Sequence, residues 1–148
     1  MTSKQGYSDL MTRIRNGYMA KLDKIAFVNT SRNVSLLRIL RDEGFISGWS
    51  EKVPIKGELS QKIECLRISR FNEGNVFLKY VDGEAALTSI ETVSKQSRRV
   101  TITVPEIETF LEQEGFSRIL IISTNKGLFT HAQAVHHRLG GEILCAIK

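Results

Sequence analysis

Near the N-terminus, apolar positions recur at Leu10, Ile14 and Gly17 to Tyr18, while Arg13, Arg15 and Asn16 fall mostly on the other side. That spacing predicts a short amphipathic helix with a basic face, which Ser8 or Asp9 can cap. "KIAFVNT" then reads as a strand. "SRNVSLLRILRDEGF" reads as a second helix, with Val34, Leu37 and Leu40 inward and Gly44 as its C-terminal stop. Between Gly48 and Tyr80, "KIECLRI" and "NVFLKY" are strand candidates, separated by "SRFNEG" with its turn formers Asn72 and Gly74.

The pattern changes after residue 82. "LTSIETVSKQSRRVTITV" predicts two strands around a basic turn, in which Val100, Ile102 and Val104 alternate with Arg99, Thr101 and Thr103. One face is therefore core and the other basic and hydroxylated. Pro105 opens a short helix carrying Ile107, Phe110 and Leu111, which Gly115 closes, and "RILII" has the unbroken apolar run of a buried strand. "STNKG" follows as a small polar loop leading into a short helix, where Thr130 and Gln133 have the spacing of a capping box. That helix ends at Gly140 and Gly141, and "EILCAI" is a last strand. The expectation is an α+β fold of two small lobes: residues 1–82, helix-strand-helix with a small sheet and an expanded strand region near 47–77, and residues 83–148, mostly β with short helices.

Composition narrows the chemistry. A chain of 148 residues, 41% of them hydrophobic, can bury a real core. Lysine and arginine total 21 against 16 acids, a formal +5, so the surface favours polyanions. Cys65 and Cys145 lie far apart in apolar strand-like settings and read as reduced core thiols rather than a disulfide or metal pair. No apolar run approaches the ~18 residues of a membrane span. The N-terminus has neither the apolar region of a signal peptide nor a long arginine-rich presequence, which leaves the site of synthesis or an already mature chain.

In "STNKG", small hydroxyl residues beside Lys126 and Gly127 leave backbone N–H groups open to an anion near a helix N-terminus; a plain surface turn is the competing reading. The loop is too short and too poor in glycine for a nucleotide-binding P-loop. His131, His136 and His137 lack the spacing of a metal site and read as a solvated helix face. No nucleophile elbow, metalloprotease helix or Cys–His pair is evident, and the acids of "EIETFLEQEG" fit helix solvation. The basic residues come from separate segments: Arg13 and Arg15, Arg32, Lys95 with Arg98 and Arg99, then Lys126. Gathered on one side they would bind phosphates; scattered, they would only solubilise.

"SDLMTRIRNG", "LLRILRDEGFI", "VSKQSRRV", "ISTNKGLFT" and "LGGEILC" stand in the order, and with much of the spacing, of the small-subunit ribosomal protein eight family in its bacterial and organellar form. The resemblance covers nearly the whole chain. It implies a non-enzymatic protein of two αβ lobes, without cofactor or metal and away from membranes. Such a protein binds a helix in the central domain of small-subunit ribosomal RNA, supports assembly and translation, and is a monomer among neighbouring ribosomal proteins. A free translational repressor with the same surface is the alternative, and an anion-binding enzyme a distant third.

Carried over by position, Ser123, Thr124, Asn125, Lys126 and Gly127 match the family's RNA-contacting loop, with Gly140 to Glu142 beside it. Thr12, Arg13, Arg15 and Asn16 match the RNA-facing N-terminal motif, Ser31 and Arg32 the opening of the second helix, and Arg98 and Arg99 belong to the basic turn. The chain also departs from the pattern. "SKQSRRV" lacks the usual Pro-Gly, with Thr101 where an aromatic residue is common. His131 replaces an aspartate, "AVHHR" is less basic, and the segment from Ser47 to Phe77 is longer. These changes favour a mitochondrial ribosome ahead of a bacterial or plastid one.

Overall fold

The structure, a computed structural model, describes residues 5–51, 73–95, 97–114 and 117–148. Helix α1 (Gln5–Met19) is followed by strand β1 (Lys24–Val28) and helix α2 (Ser31–Asp42). Strands β2 (Ile46–Glu51) and β3 (Glu73–Leu78) complete an antiparallel sheet of order β1-β3-β2. The apolar stripe of α1 is buried as its spacing requires, at Leu10, Ile14 and Tyr18, with Met11 beside them. Gly17 lets the helix approach this sheet, since an added Cβ would stand 2.6 Å from Ile25 Cγ2 and 2.9 Å from Leu78 Cδ1.

Three local expectations change. Helix α1 already runs through Ser8 and Asp9, so neither caps it; Asp9 instead pairs with Arg13 one turn on, 2.9 Å from its Nε. In α2 the buried residues are Asn33, Leu36, Leu37 and Leu40, and Val34 is half-buried. Asn33 turns inward because its amide donates to the Val28 carbonyl at 2.8 Å, tying the helix start to the end of β1. Gly44 stops the helix as expected, with a positive φ of 83°. The third change is β2, which the alternation does not announce: Ser47, Gly48 and Ser50 interrupt it, and a bulge between Ile46 and Gly48 shifts its register on β3. Asn75 to Leu78 of "NVFLKY" lie in β3, which begins already at Glu73 and takes in the expected turn former Gly74, while Tyr80 belongs to the next strand; "KIECLRI", Asn72 and Cys65 lie outside the described residues.

A small hairpin of β4 (Tyr80–Val81) and β5 (Glu84–Ala85) leads into the second sheet. That sheet has the order β6-β10-β8-β9, with β7 also on β10. Its members are β6 (Ile90–Thr92), β7 (Thr101–Ile102), β8 (Ile119–Thr124), β9 (Gly127–Thr130) and β10 (Gly141–Ile147), with helices α3 (Val104–Glu114) and α4 (His131–His136) between them. The two strands flanking the basic turn do not pair with each other. β6 pairs with the Cys145–Ile147 end of β10 and β7 with its Gly141–Glu142 end.

A bulge between Ile143 and Cys145 resets the alternation of β10. Ile143 and Ala146 consequently share one face with Ile107, Leu120, Ile122 and Ala134, under α3 and α4. Cys145 and Ile147 face the other way, into a larger core with Ile90, Ile121, Leu10, Ile14, Leu37 and Val76. This core draws on residues from both sides of position 82. Burial pushes the Cys145 thiol up to about 12, so it stays protonated and unreactive, as the core-thiol reading expects.

Candidate nucleic-acid interface

The "STNKG" segment closes a hairpin between β8 and β9, in which Thr124 stands opposite Gly127 and Asn125 and Lys126 form the tip. Gly127 has φ +125°, a conformation that L side chains rarely adopt. The Thr124 hydroxyl holds the turn from both sides, accepting from the Lys126 N–H at 3.2 Å and donating to the Gly127 carbonyl at 2.9 Å. Two expectations are corrected here. The loop does not adjoin a helix N-terminus, because β9 separates Lys126 from α4. Nor is the Lys126 N–H open to an anion, because Thr124 occupies it. What the turn presents is the exposed side of Asn125, Lys126 and Gly127, above half-buried Ser123 and Thr124.

The register extends this tip into a row. Glu142 of β10 lies opposite Ser123 of β8 on one side and Thr101 of β7 on the other. Residues directly opposite in a sheet point to the same face, so Thr101, Glu142 and Ser123 form a polar line across three strands. Gly141 makes this possible: a Cβ there would fall 2.1 Å from the Ser123 carbonyl oxygen. The glycine before the glutamate is therefore a requirement of close strand approach.

The basic turn protrudes from the β10 edge between β6 and β7. The Val93 N–H donates to the Leu144 carbonyl at 3.1 Å and the Ile143 N–H to the Val100 carbonyl at 2.9 Å, so the edge is regained on both sides of the protrusion. Lys95 and Arg98 exchange backbone hydrogen bonds of 2.9 and 3.1 Å. The Ser94 hydroxyl accepts from the Val100 N–H at 3.0 Å and donates to the Val100 carbonyl at 3.3 Å. Arg98 and Arg99 are exposed, and alternation puts Arg99 on the face of Thr101. Thr103, next on that side, donates from its N–H and its hydroxyl to Glu106 at 2.7 and 2.8 Å. These bonds lower the Glu106 carboxyl's pKa and start α3, a sharper role than general helix solvation.

A family model described as ribosomal protein S8 matches residues 6–147. The chain belongs to this family. Among its relatives is the small ribosomal subunit protein uS8 of Anaplasma phagocytophilum, 34% identical over 148 residues, 99% of each chain. That of Afipia carboxidovorans is 32% identical over 147 residues, 99% of each. That of Ruegeria pomeroyi is 31% identical over 139 residues, 94% of this chain and 95% of the relative. These are ribosomal proteins and not enzymes, which removes the anion-binding enzyme as a reading.

The rest of the S8-family residues divide by what their side chains do. On α1, the Thr12 hydroxyl donates to the Ser8 carbonyl at 2.8 Å, and Arg13, besides pairing with Asp9, donates to the Ala26 carbonyl at 3.3 Å. Asn16 is exposed. Arg15 reaches the second sheet, donating from Nε to the Ile90 carbonyl at 3.1 Å and from Nη2 to the same oxygen. Ser31 and Arg32 are exposed at the start of α2, and the Arg32 charge opposes the rise that burial gives the Tyr7 phenol. The structure thus brings Ser123 to Gly127 and Glu142 together on β8, the hairpin turn, β9 and β10, with Arg99 in the segment just before β7. Thr12, Arg13, Asn16, Ser31 and Arg32 stand on helices that pack on the first sheet and also touch the second, α1 at β6 and α2 at β9.

His131 corrects the expected solvated histidine face. It is buried; its Nδ1 accepts from the Leu120 N–H at 3.0 Å, and its ring meets the Phe110 ring edge-on at 6.2 Å. Burial lowers its pKa, so the ring is neutral, with the proton on Nε2. A signal was present: His131, Ala134 and Val135 share the three-to-four spacing of an inward face. His136 and His137 are exposed as expected, with His137 5.2 Å from the Phe129 ring. Among the described residues no group of three His, Cys, Asp or Glu could hold a metal ion, and no helix is long and apolar enough to cross a membrane.

Proposed function

We propose that this chain is a structural constituent of the small ribosomal subunit that binds a helix in the central domain of its RNA and supports assembly and translation there. The single observation carrying this reading is the Thr101–Glu142–Ser123 row, set beside a hairpin tip that presents Lys126. Ser123 offers a hydroxyl that can donate or accept at a base edge or ribose 2′-OH. Glu142 offers a carboxylate, which accepts from exocyclic amines and repels phosphate, so the row suits bases rather than backbone. Lys126, Arg98 and Arg99 supply phosphate attraction around it.

In this reading residues 83–148 are the main RNA-binding lobe, and Thr12, Arg13, Asn16, Ser31 and Arg32 add a second patch of backbone contacts. Neighbouring small-subunit proteins meet the remaining surface. We place the chain in an organellar ribosome because of its departures from the family pattern; the named relatives are bacterial, consistent with a ribosome of bacterial type. Sedimentation after a high-salt wash, with organelle and cytoplasm fractionated first, tests this. The chain is expected with mitochondrial small subunits, and one that binds the isolated RNA but remains free of subunits would instead be a repressor.

A further inference from the structure

We infer that Arg15 is a positioning residue of the RNA surface and not one of its phosphate contacts; the inference rests on the RNA-binding reading above. Ser89 and Lys148 exchange N–H···O bonds of 2.8 and 2.9 Å, a hydrogen-bonded pair of the antiparallel ladder. The next residue, Ile90, therefore turns its own N–H and C=O away from β10, toward the open edge of the sheet. Arg15 meets that carbonyl with both Nε and Nη2. The guanidinium thus commits its Nε and one Nη2 donor to an acceptor on the outer edge of β6, while Arg15 as a residue stays exposed.

A groove runs beside this bridge, lined by Arg15, Tyr18 and Met19 on the helix and by Ser89, Thr92 and Lys95 along the edge. Helix and strand are therefore not packed solid here. Ile14 and Ile90 belong to the same apolar core beneath, whose burial is non-directional. On the first sheet α1 is already held by Arg13 at the Ala26 carbonyl and by Tyr18, which donates to the Phe45 carbonyl and accepts from the Lys79 N–H; the two-pronged bond of Arg15 adds the hold on the second sheet. It thereby ties Thr12, Arg13 and Asn16 to the basic protrusion, which begins at Lys95. It also blocks an edge that would otherwise be open to another strand.

The test is RNA affinity across a salt series for wild type, Arg15→Gln, Arg15→Lys and Lys126→Gln, using the central-domain RNA helix with transfer RNA as control, and amide hydrogen exchange without RNA. A lysine keeps the charge but not the fork. Both Arg15 variants are therefore expected to lose about three- to tenfold in affinity with the salt slope unchanged, and to speed exchange at Ile90 and Thr92. Lys126→Gln, at the exposed hairpin tip, is the contrast, expected to lower the slope by about one. The inference is overturned if Arg15→Lys restores binding while Arg15→Gln lowers the slope by about one, or if both match wild type throughout. A wild-type chain that binds both RNAs alike overturns the RNA reading itself, in a measurement that does not involve Arg15.

Discussion

Strand β10 runs through two regions that share one ladder and differ in almost everything else. From Cys145 to Ile147 it is buried, each residue filling one of two apolar cores. At Gly141 and Glu142 it has no apolar side chain, and β7 and β8 flank a glycine with no room for a methyl group. The bulge at Ile143 to Cys145 separates the two. The core end is held by side-chain volume, which tolerates exchange of similar shapes; the polar end is held by backbone proximity, which tolerates none.

The largest expected effect follows directly. Gly141→Ala must drive β8 and β10 apart or twist the row, and should lower unfolding stability by about 3 kcal/mol or more. Cys145→Ala, at the core end, removes one sulfur and should cost about 1 kcal/mol. Urea titration of both variants compares the two ends. Equal, small losses would mean that close approach does not distinguish them.

Within the polar end, adjacent hydroxyls should separate cleanly. Thr124 makes both hydrogen bonds of the turn, so Thr124→Val should lower folding stability by about 1–2 kcal/mol and affect RNA only through the hairpin. Ser123 lies in the row, so Ser123→Ala should leave the melt unchanged and cost about 1–3 kcal/mol in binding the cognate RNA. Melts and filter binding on the same preparations decide, and the opposite pattern would exchange their roles.

What was legible in the residues was whatever a local pattern can carry. The apolar stripe of α1, the Thr130 and Gln133 capping box, Gly44 and the alternation from Arg99 to Thr103 are short-range statements, and each is realised. Pairings made across long stretches of chain were not legible. Nothing near Ile90 announces that its carbonyl receives Arg15, and nothing near Thr101 announces that β7 lies against Glu142 rather than β6. The Lys126 N–H read as open to an anion because its acceptor, the Thr124 hydroxyl, is set in place only once the hairpin closes and the same hydroxyl reaches the Gly127 carbonyl. The resemblance found the candidate residues; the register separates those that face outward from those that hold the surface together.

The core end also carries a pH signature. Leu120, opposite Ala146 on β10, donates its N–H to buried His131, whose pKa is held below the ordinary 6.5. The native ring stays neutral where the unfolded one takes a proton. Stability is therefore present above about pH 6.5 and falls as pH drops toward the folded value, by at most about 1.4 kcal/mol per pH unit. His131→Asn keeps an acceptor near the Nδ1 position and removes the titration, so its melting temperature should vary less between about pH 7.5 and 5.5 than that of wild type. Parallel slopes would show that another group carries the acid sensitivity.

The smallest effect belongs to the hairpin tip. Lys126 is exposed, its backbone is fixed by Thr124, and its ammonium is a flexible point charge suited to phosphate rather than to a base edge. Lys126→Gln should leave folding stability unchanged and reduce the salt slope of RNA binding by about one. At moderate salt the affinity loss should stay under about 1 kcal/mol, with little regard to RNA sequence. Ser123→Ala should behave in the opposite way, keeping the slope and losing specificity. If instead Lys126→Gln kept the slope and lost discrimination between cognate and mutated helices, the tip would be reading bases alongside the row. The division between a charged rim and a polar, sequence-reading line on β10 would then fail.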